Sequence, residues 1–224
     1  MVVKSIKLGQ YKDLGIKAEA LEIDRQLILN KMKEMMIENA SSREIESSVA
    51  ETIIVMDDEA VKAMQLDGVT NLPEFEEYIK QSMFRDYVIN NVMRRVLDNV
   101  SIEYDQVEIE KELDCMMSSI EEQAVNEGFT LAFYCDYNNI KGEDELRENC
   151  REEIYTSYLE IHTLEAIALK ERIKVDDVEF NLLMDSYTTS HESSSSFDED
   201  ALRRSLVIKS TVDWLVLNNM AALV

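Results

Sequence analysis

The chain has 224 residues, of which 46% are hydrophobic and 31% charged; this balance excludes a disordered chain and a membrane-embedded one, and it suffices for a sizeable core. Five Gly and one Pro are too few for the turns of a strand-rich fold, so the scarcity points to helices. A formal charge of −23 repels phosphate backbones and, lacking a basic patch to offset it, sets nucleic acid aside as a partner.

In chain order, IKLGQYKDLGIKAEA reads as an extended or turning lead-in, followed by a first helix from about Leu21 to Asn39. A polar connection follows, and the β-branched run Thr52–Val55 reads as a strand fragment or an extended link. MDDEAVKAMQL makes a short helix ended by Asp67-Gly68. The next starts share one signature, a capping residue with Glu three positions on: Asn71 with Glu74, Asp105 with Glu108, Asp176 with Glu179, and Ser196 with Glu199. Each pair can satisfy two otherwise orphaned backbone donors, so helices are expected to begin near 72, 106, 177 and 197. Pro73 falls in a first turn, where its missing N–H costs little. Gly128 is expected to end the helix that begins near 106, and Thr130 to open a short one through about Asn138. Gly142 precedes a helix from Glu143 to about Arg172, with three acids favourably placed against its dipole. At 1.5 Å per residue it is about 45 Å long, close to the full diameter of a globule of this size, which favours an elongated, multi-armed shape. SHESSSS, 190–196, reads as a flexible loop.

The charge is uneven: 18 acidic and 6 basic residues lie between Asp105 and Arg172, whereas residues 1–35 hold 7 basic and 5 acidic. The plain meaning of the surplus is a solvated surface; it also suits a protein with exposed apolar surface, because it discourages self-association. Cys115, Cys135 and Cys150 have no C-x-x-C spacing, and an odd number fits a reducing compartment, with all three as small core hydrophobes. No apolar run is long enough to span a membrane, so no membrane partner is expected. MVVKSIKLGQ lacks the apolar stretch of a secretory signal, so the expected location is cytoplasmic if Met1 is the true start and extracytoplasmic if a signal has been removed.

No catalytic residues, cofactor or metal are expected. The two His, His162 in a long helix and His191 in the Ser-rich loop, belong to no H-E-x-x-H, G-x-S-x-G or phosphate-loop pattern. What stands out instead is apolar. Ile109, Leu113, Met116, Met117, Ile120 and Ala124 share one helical face, and Phe129, Leu131, Phe133, Tyr134 and Tyr137 crowd the short element after it. Such a stripe is ordinarily core, but projecting helices leave part of it facing a groove, and twelve Met supply unbranched side chains that repack around varied ligands.

The order of segments resembles the C-terminal chaperone domain of bacterial trigger factors. LGQYKDLGI resembles the stretch that opens that domain, commonly YKGLEV. MDDEAVKAMQLDGVTNLPEFEEYIKQSM is similar to the segment where those proteins re-enter it. IEYDQVEIEKELDCMMSSIEEQAVNEGFTLAFYCDY looks like the first arm, and GEDELRENCREEIYTSYLEIHTLEAIALKERIKVDDVEF like the long helix and its successor. ALRRSLVIKSTVDWLVLNN is similar to the last helix. The resemblance covers essentially the whole chain and rests on diffuse patterns in order, without an invariant signature. Periplasmic chaperones of the SurA type share a similar helical core.

The resemblance implies an all-α, elongated domain over 1–224 with projecting arms: lead-in and first helix to 40, linker 40–52, helical body and arms 53–224. In trigger factors an FKBP-type prolyl isomerase domain interrupts the chaperone domain; here ASSREIESSVAET alone stands at that place. The ribosome-docking N-terminal domain also has no counterpart, so neither isomerase activity nor ribosome docking carries over. The implied function is an ATP-independent holdase that shelters unfolded or nascent polypeptides. Ile109, Leu113, Met116, Met117, Ile120, Leu131 and Phe133 are its candidate client contacts, and a homodimer is possible on this reading. The alternatives are an escort factor for one partner, a remnant isomerase or a non-catalytic helical adaptor.

Overall fold

A computed structural model of the protein describes residues 2–16, 24–41, 57–190 and 198–219. Among them the elements run β1 Val3–Leu8, α1 Arg25–Ser41, α2 Asp58–Ala63, α3 Leu72–Leu97, β2 Val100–Tyr104, α4 Gln106–Asn126, α5 Leu131–Tyr137, α6 Glu143–Glu171, α7 Asp177–Ser190 and α8 Glu199–Asn219. Among the described residues the fold is all-α apart from one pair of short strands. The expected Thr52–Val55 fragment and nearly all of the Ser-rich loop lie outside the described residues.

Side-chain caps set the helix starts. Asn71 accepts a hydrogen bond from the Glu74 amide (3.0 Å), Asp105 from Val107 (3.0 Å), Thr130 from Phe133 (3.2 Å) and Asp176 from Val178 (2.8 Å). The reciprocal half of the box differs from expectation. Glu74 reaches one residue further back and accepts from the Thr70 amide and hydroxyl at 2.7 and 2.8 Å. Glu108 pairs with Lys111 instead, because the Asp105 amide already donates to the Val2 carbonyl at 2.8 Å. Two starts move: α1 is capped by Asp24, which accepts from the Gln26 amide, and α8 by Asp198, which accepts from the Ala201 amide, in place of Ser196. At the other ends, Gly128 (φ 82°) closes α4, and Arg172 (φ 58°) closes α6 as the Ile173 amide donates to the Ala168 carbonyl.

The chain divides into two compact units, Met1–Gly15 with Val92–Met220, and Ile16–Asn91 with Ala221–Val224. In the smaller, Ile28, Met32 and Met36 fall four residues apart on α1 and pack with Val61, Met64, Val69, Phe75 and Ile79 into a buried cluster. Three of the methionines read as adaptable contact surface are therefore core.

In the larger unit β1 and β2 pair antiparallel, with Ile6 opposite Ile102 and Leu8 opposite Val100. The Gly9 amide extends the pairing by donating to the Asn99 carbonyl at 2.9 Å. Here glycine is obligatory, since a Cβ would lie 2.3 Å from that same oxygen. On β2, Val100, Ile102 and Tyr104 are half-buried while Ser101 and Glu103 are exposed. The Tyr104 ring lies 5.0 Å from that of Tyr155 on α6, and its hydroxyl donates to the Tyr155 carbonyl. The lead-in after β1 is clasped by the ends of α6 and α8. The Tyr11 hydroxyl and Lys12 Nζ both donate to Glu171 at 2.7 Å, Lys12 Nζ sits 4.9 Å from the Trp214 ring centroid, and buried Asn219 bonds the Tyr11 and Leu14 backbone.

Candidate functional site

The α4–α5–α6 layer carries the candidate residues, and one sequence stripe builds its interior. Ile109, Leu113 and Met117 are buried with Cys135 of α5 and Leu146, Cys150 and Ile154 of α6. Ile109 and Leu113 are 0% exposed, so in this conformation they offer a partner no surface; their apolar area is already covered by α5 and α6. Met116, Ile120 and Leu131 are half-buried against the same cluster. Phe133 alone among the seven candidates is turned out to solvent. Of the three cysteines, Cys135 and Cys150 are core, as expected, but Cys115 is exposed, because it falls between the inward positions of α4.

Phe133 does not stand alone. Phe129, Phe133 and Tyr137 recur every fourth residue and share one face, with exposures of 44%, 49% and 78%. Their rings stack, Phe129 on Phe133 at 4.8 Å and 17° and Phe133 on Tyr137 at 6.4 Å and 19°. Two local features hold this ladder. Gly128 in the left-handed conformation reverses the chain out of α4, and Thr130 caps the seven-residue α5 so that Leu131, Tyr134 and Cys135 face the cluster. Phe129 and Tyr137 had a readable signal, the i, i+4, i+8 spacing; periodicity alone does not say which of two apolar faces is covered.

Ion pairs tie α4 to α6. Arg147 bonds Glu110 at 3.1 Å and Asp114 at 2.6 Å, and Arg151 bonds Glu110 at 3.1 Å and also meets Glu148. Bonds from Arg147 and Arg151 hold the Glu110 carboxyl below the usual carboxylate range. Around the ladder the charge is of one sign. From Cys115 to Ile140 the chain carries Glu121, Glu122, Glu127 and Asp136 and no Lys or Arg. All four are exposed, and among the described residues none is paired with a cation.

Among the described residues the buried and paired titratable groups serve the packing of the layer. Burial pushes the Cys135 and Cys150 thiols up, away from the thiolate a nucleophile needs. His162 Nδ1 lies 2.9 Å from Glu165, which also accepts from Arg204, tying α6 to α8. Among the described residues no cluster of three or more His, Cys, Asp or Glu could hold a metal ion, and no helix is long and apolar enough to cross a membrane. A cleft of about 460 Å³ lined by Gln10, Asp13, Leu14, Arg94, Arg95, Asp98 and Asn99 has balanced charge and little apolar wall.

The helical layer thus seals its own core and presents a stacked aromatic face to solvent. Residues 71–217 match the family described as the bacterial trigger factor protein C-terminus, and the chain belongs to that family. It is 28% identical over 188 residues to the trigger factor of Geobacillus thermodenitrificans, covering 77% of this chain and 43% of the relative. With the trigger factor of Bacillus pumilus it shares 24% over 182 residues, covering 75% and 42%. The chain thus spans less than half the length of these relatives. A solved structure described under the words "Promiscuous Substrate Recognition in Folding and Assembly Activities of the Trigger Factor Chaperone" matches with a TM-score of 0.40 at 16% identity, over 73% of this chain and 42% of that one.

Proposed function

We propose that the chain is a non-catalytic, ATP-independent holdase of the cytoplasm. On this reading residues 1–224 act as one chaperone domain that captures unfolded or nascent polypeptides. The observation that carries the proposal is the solvent-facing ladder of Phe129, Phe133 and Tyr137. Three rings at these exposures offer roughly 350 Å² of apolar area, taking about 200 Å² per aromatic side chain. That amounts to about 9 kcal/mol gross at 25 cal/mol per Å². Association and ordering cost about 4–15 kcal/mol. Net affinity is therefore weak, as release without ATP requires. The half-buried Met116, Ile120 and Leu131 flank this capture surface, whereas Ile109, Leu113 and Met117 support it from within.

Light scattering of two unrelated aggregating proteins tests the proposal. The wild-type chain suppresses both, and Phe129→Ser with Phe133→Ser weakens suppression while leaving the helical circular dichroism intact. Full protection by that variant refutes the ladder as the capture surface. Protection of neither client by the wild type refutes the holdase, and leaves an escort factor or adaptor.

A further inference from the structure

We infer that Met35 and Met83 are oxidative modification sites: sulfoxidation there by a peroxide loosens the smaller unit, and reduction of the sulfoxides restores it. The inference is independent of the capture surface proposed above.

The methionines are unevenly placed. Five of the fourteen side chains in the smaller unit's cluster are Met, with Met32, Met36 and Met64 inside and Met35 and Met83 half-buried against it. The cluster of the α4–α5–α6 layer has two among sixteen, Met116 and Met117. Residues 16–91 also contain no Cys, His or Trp, so thioether sulfur is the group of this stretch that a mild two-electron oxidant attacks. Access sets the order of attack. Met32, Met36 and Met64 are 2%, 4% and 9% exposed, whereas Met35 and Met83 keep part of their surface in water.

The chemistry adds one oxygen atom. A sulfur lone pair attacks an oxygen of hydrogen peroxide, an S–O bond forms as the O–O bond breaks, and water leaves; sulfur is oxidised by two electrons and the peroxide reduced by two. A flexible apolar side chain becomes a strongly dipolar one. The new oxygen needs hydrogen-bond donors, and the side chains of Ile28, Val61, Val69, Phe75 and Ile79 in the cluster have none to give. A sulfoxide at the margin is therefore drawn toward water and out of its packing. That loss uncovers Met32, Met36 and Met64, whose oxidation then deepens the same defect. The α4–α5–α6 cluster, with fewer thioethers, responds less.

The test uses the full 224-residue chain carrying Cys115→Ser, which removes the exposed thiol as a competing target. It is treated with graded hydrogen peroxide, sulfoxides are located by peptide mass spectrometry, and amide hydrogen exchange is followed along the chain. Met35 and Met83 should oxidise about tenfold faster than Met32, Met36 and Met64, since susceptibility follows exposure. Protection in α1 should fall about tenfold or more, the factor implied by one buried polar group left unpaired. Trp214 fluorescence and the protection of α6 should stay as they were. Incubation with the two methionine sulfoxide reductases, one for each epimer, and a dithiol should restore α1. Met35→Leu with Met83→Leu nearly conserves volume and should hold α1 closed at the same peroxide dose. Met35→Gln with Met83→Gln should loosen α1 without any oxidant.

Sulfoxides on Met35 and Met83 with unchanged protection in α1 would make them inert scavengers and overturn the inference. Equal loss of protection in the Leu variant would place the sensitive site elsewhere. Simultaneous loss in α1 and α6 would refute loosening confined to the smaller unit.

Discussion

Asn219 makes the sharpest test of how the larger unit is held. It is 2% exposed at the end of α8; its Oδ1 accepts from the Leu14 amide at 2.9 Å, and its Nδ2 donates to the Tyr11 carbonyl at 2.8 Å and the Leu215 carbonyl at 2.9 Å. Asn219→Leu keeps the branching at Cγ and deletes all three bonds, stranding an amide and a carbonyl of the lead-in. Leaving a buried polar group unpaired costs about 1–3 kcal/mol. Two such groups, one of them partly reachable by water, place the loss at about 2–4 kcal/mol. With a urea slope near 2 kcal/mol/M the midpoint should fall by about 1–2 M. Trp214 is the one tryptophan, and Lys12 Nζ lies 4.9 Å from its ring, so its fluorescence reports this clasp directly. Asn219→Asp keeps the acceptor for Leu14 but sets a carboxylate against two carbonyls, and should be at least as damaging. An Asn219→Leu midpoint within about 0.2 M of wild type, at unchanged slope, would refute the claim that side-chain bonds fasten the lead-in.

Four further outcomes follow from the geometry. Gly9→Ala drives a methyl group to 2.3 Å from the Asn99 carbonyl oxygen, and should cost about 2–3 kcal/mol in thermal or urea unfolding, because the obstacle is backbone. Thr163 is wholly buried with its hydroxyl unpartnered, so Thr163→Val should leave stability unchanged or raise it by up to about 1 kcal/mol. Burial opposes ionisation of Glu165, yet bonds from Arg204 and His162 outweigh it and hold the carboxyl below its ordinary range. Its contribution is present above the ordinary carboxylate value of about 4.3 and lost as pH falls through the lowered one, so the stability gap to Glu165→Gln should narrow between pH 7 and pH 3. Finally, Cys115 should react quickly with a thiol reagent in the native protein while buried Cys135 and Cys150 react only on denaturation.

Where the sequence was legible, the cause was local. Asn71, Asp105, Thr130 and Asp176 each act on an amide two or three residues away, and such short-range chemistry survives any tertiary context. Ser196 misled because Asp198, two residues later, is an equally good cap. The strands were opaque for the opposite reason: VKSIKL and VSIEY are short, and their pairing spans nearly a hundred residues, so neither segment announces the other. The site was half legible. The stripe from Ile109 to Ala124 marked an apolar face correctly, but whether that face meets α6 or solvent depends on neighbours that spacing cannot name. The same spacing rule applied to Phe129, Phe133 and Tyr137 describes a face that none of the described residues covers.

The pairing of β1 with β2 also sets a timetable. β1 leaves the ribosome before its partner, which follows only after all of α1, α2 and α3 has been made. At about 5–20 residues per second this interval lasts roughly 5–20 s, during which β1 exposes two unpaired edges while the intervening helices are already free to assemble. The stretch Ile16–Asn91 of the smaller unit can mature during that wait; the larger cannot close until the chain returns. Replacing 16–91 with a brief linker would keep the larger unit's own residues, shorten the separation of its strands, and should speed its completion.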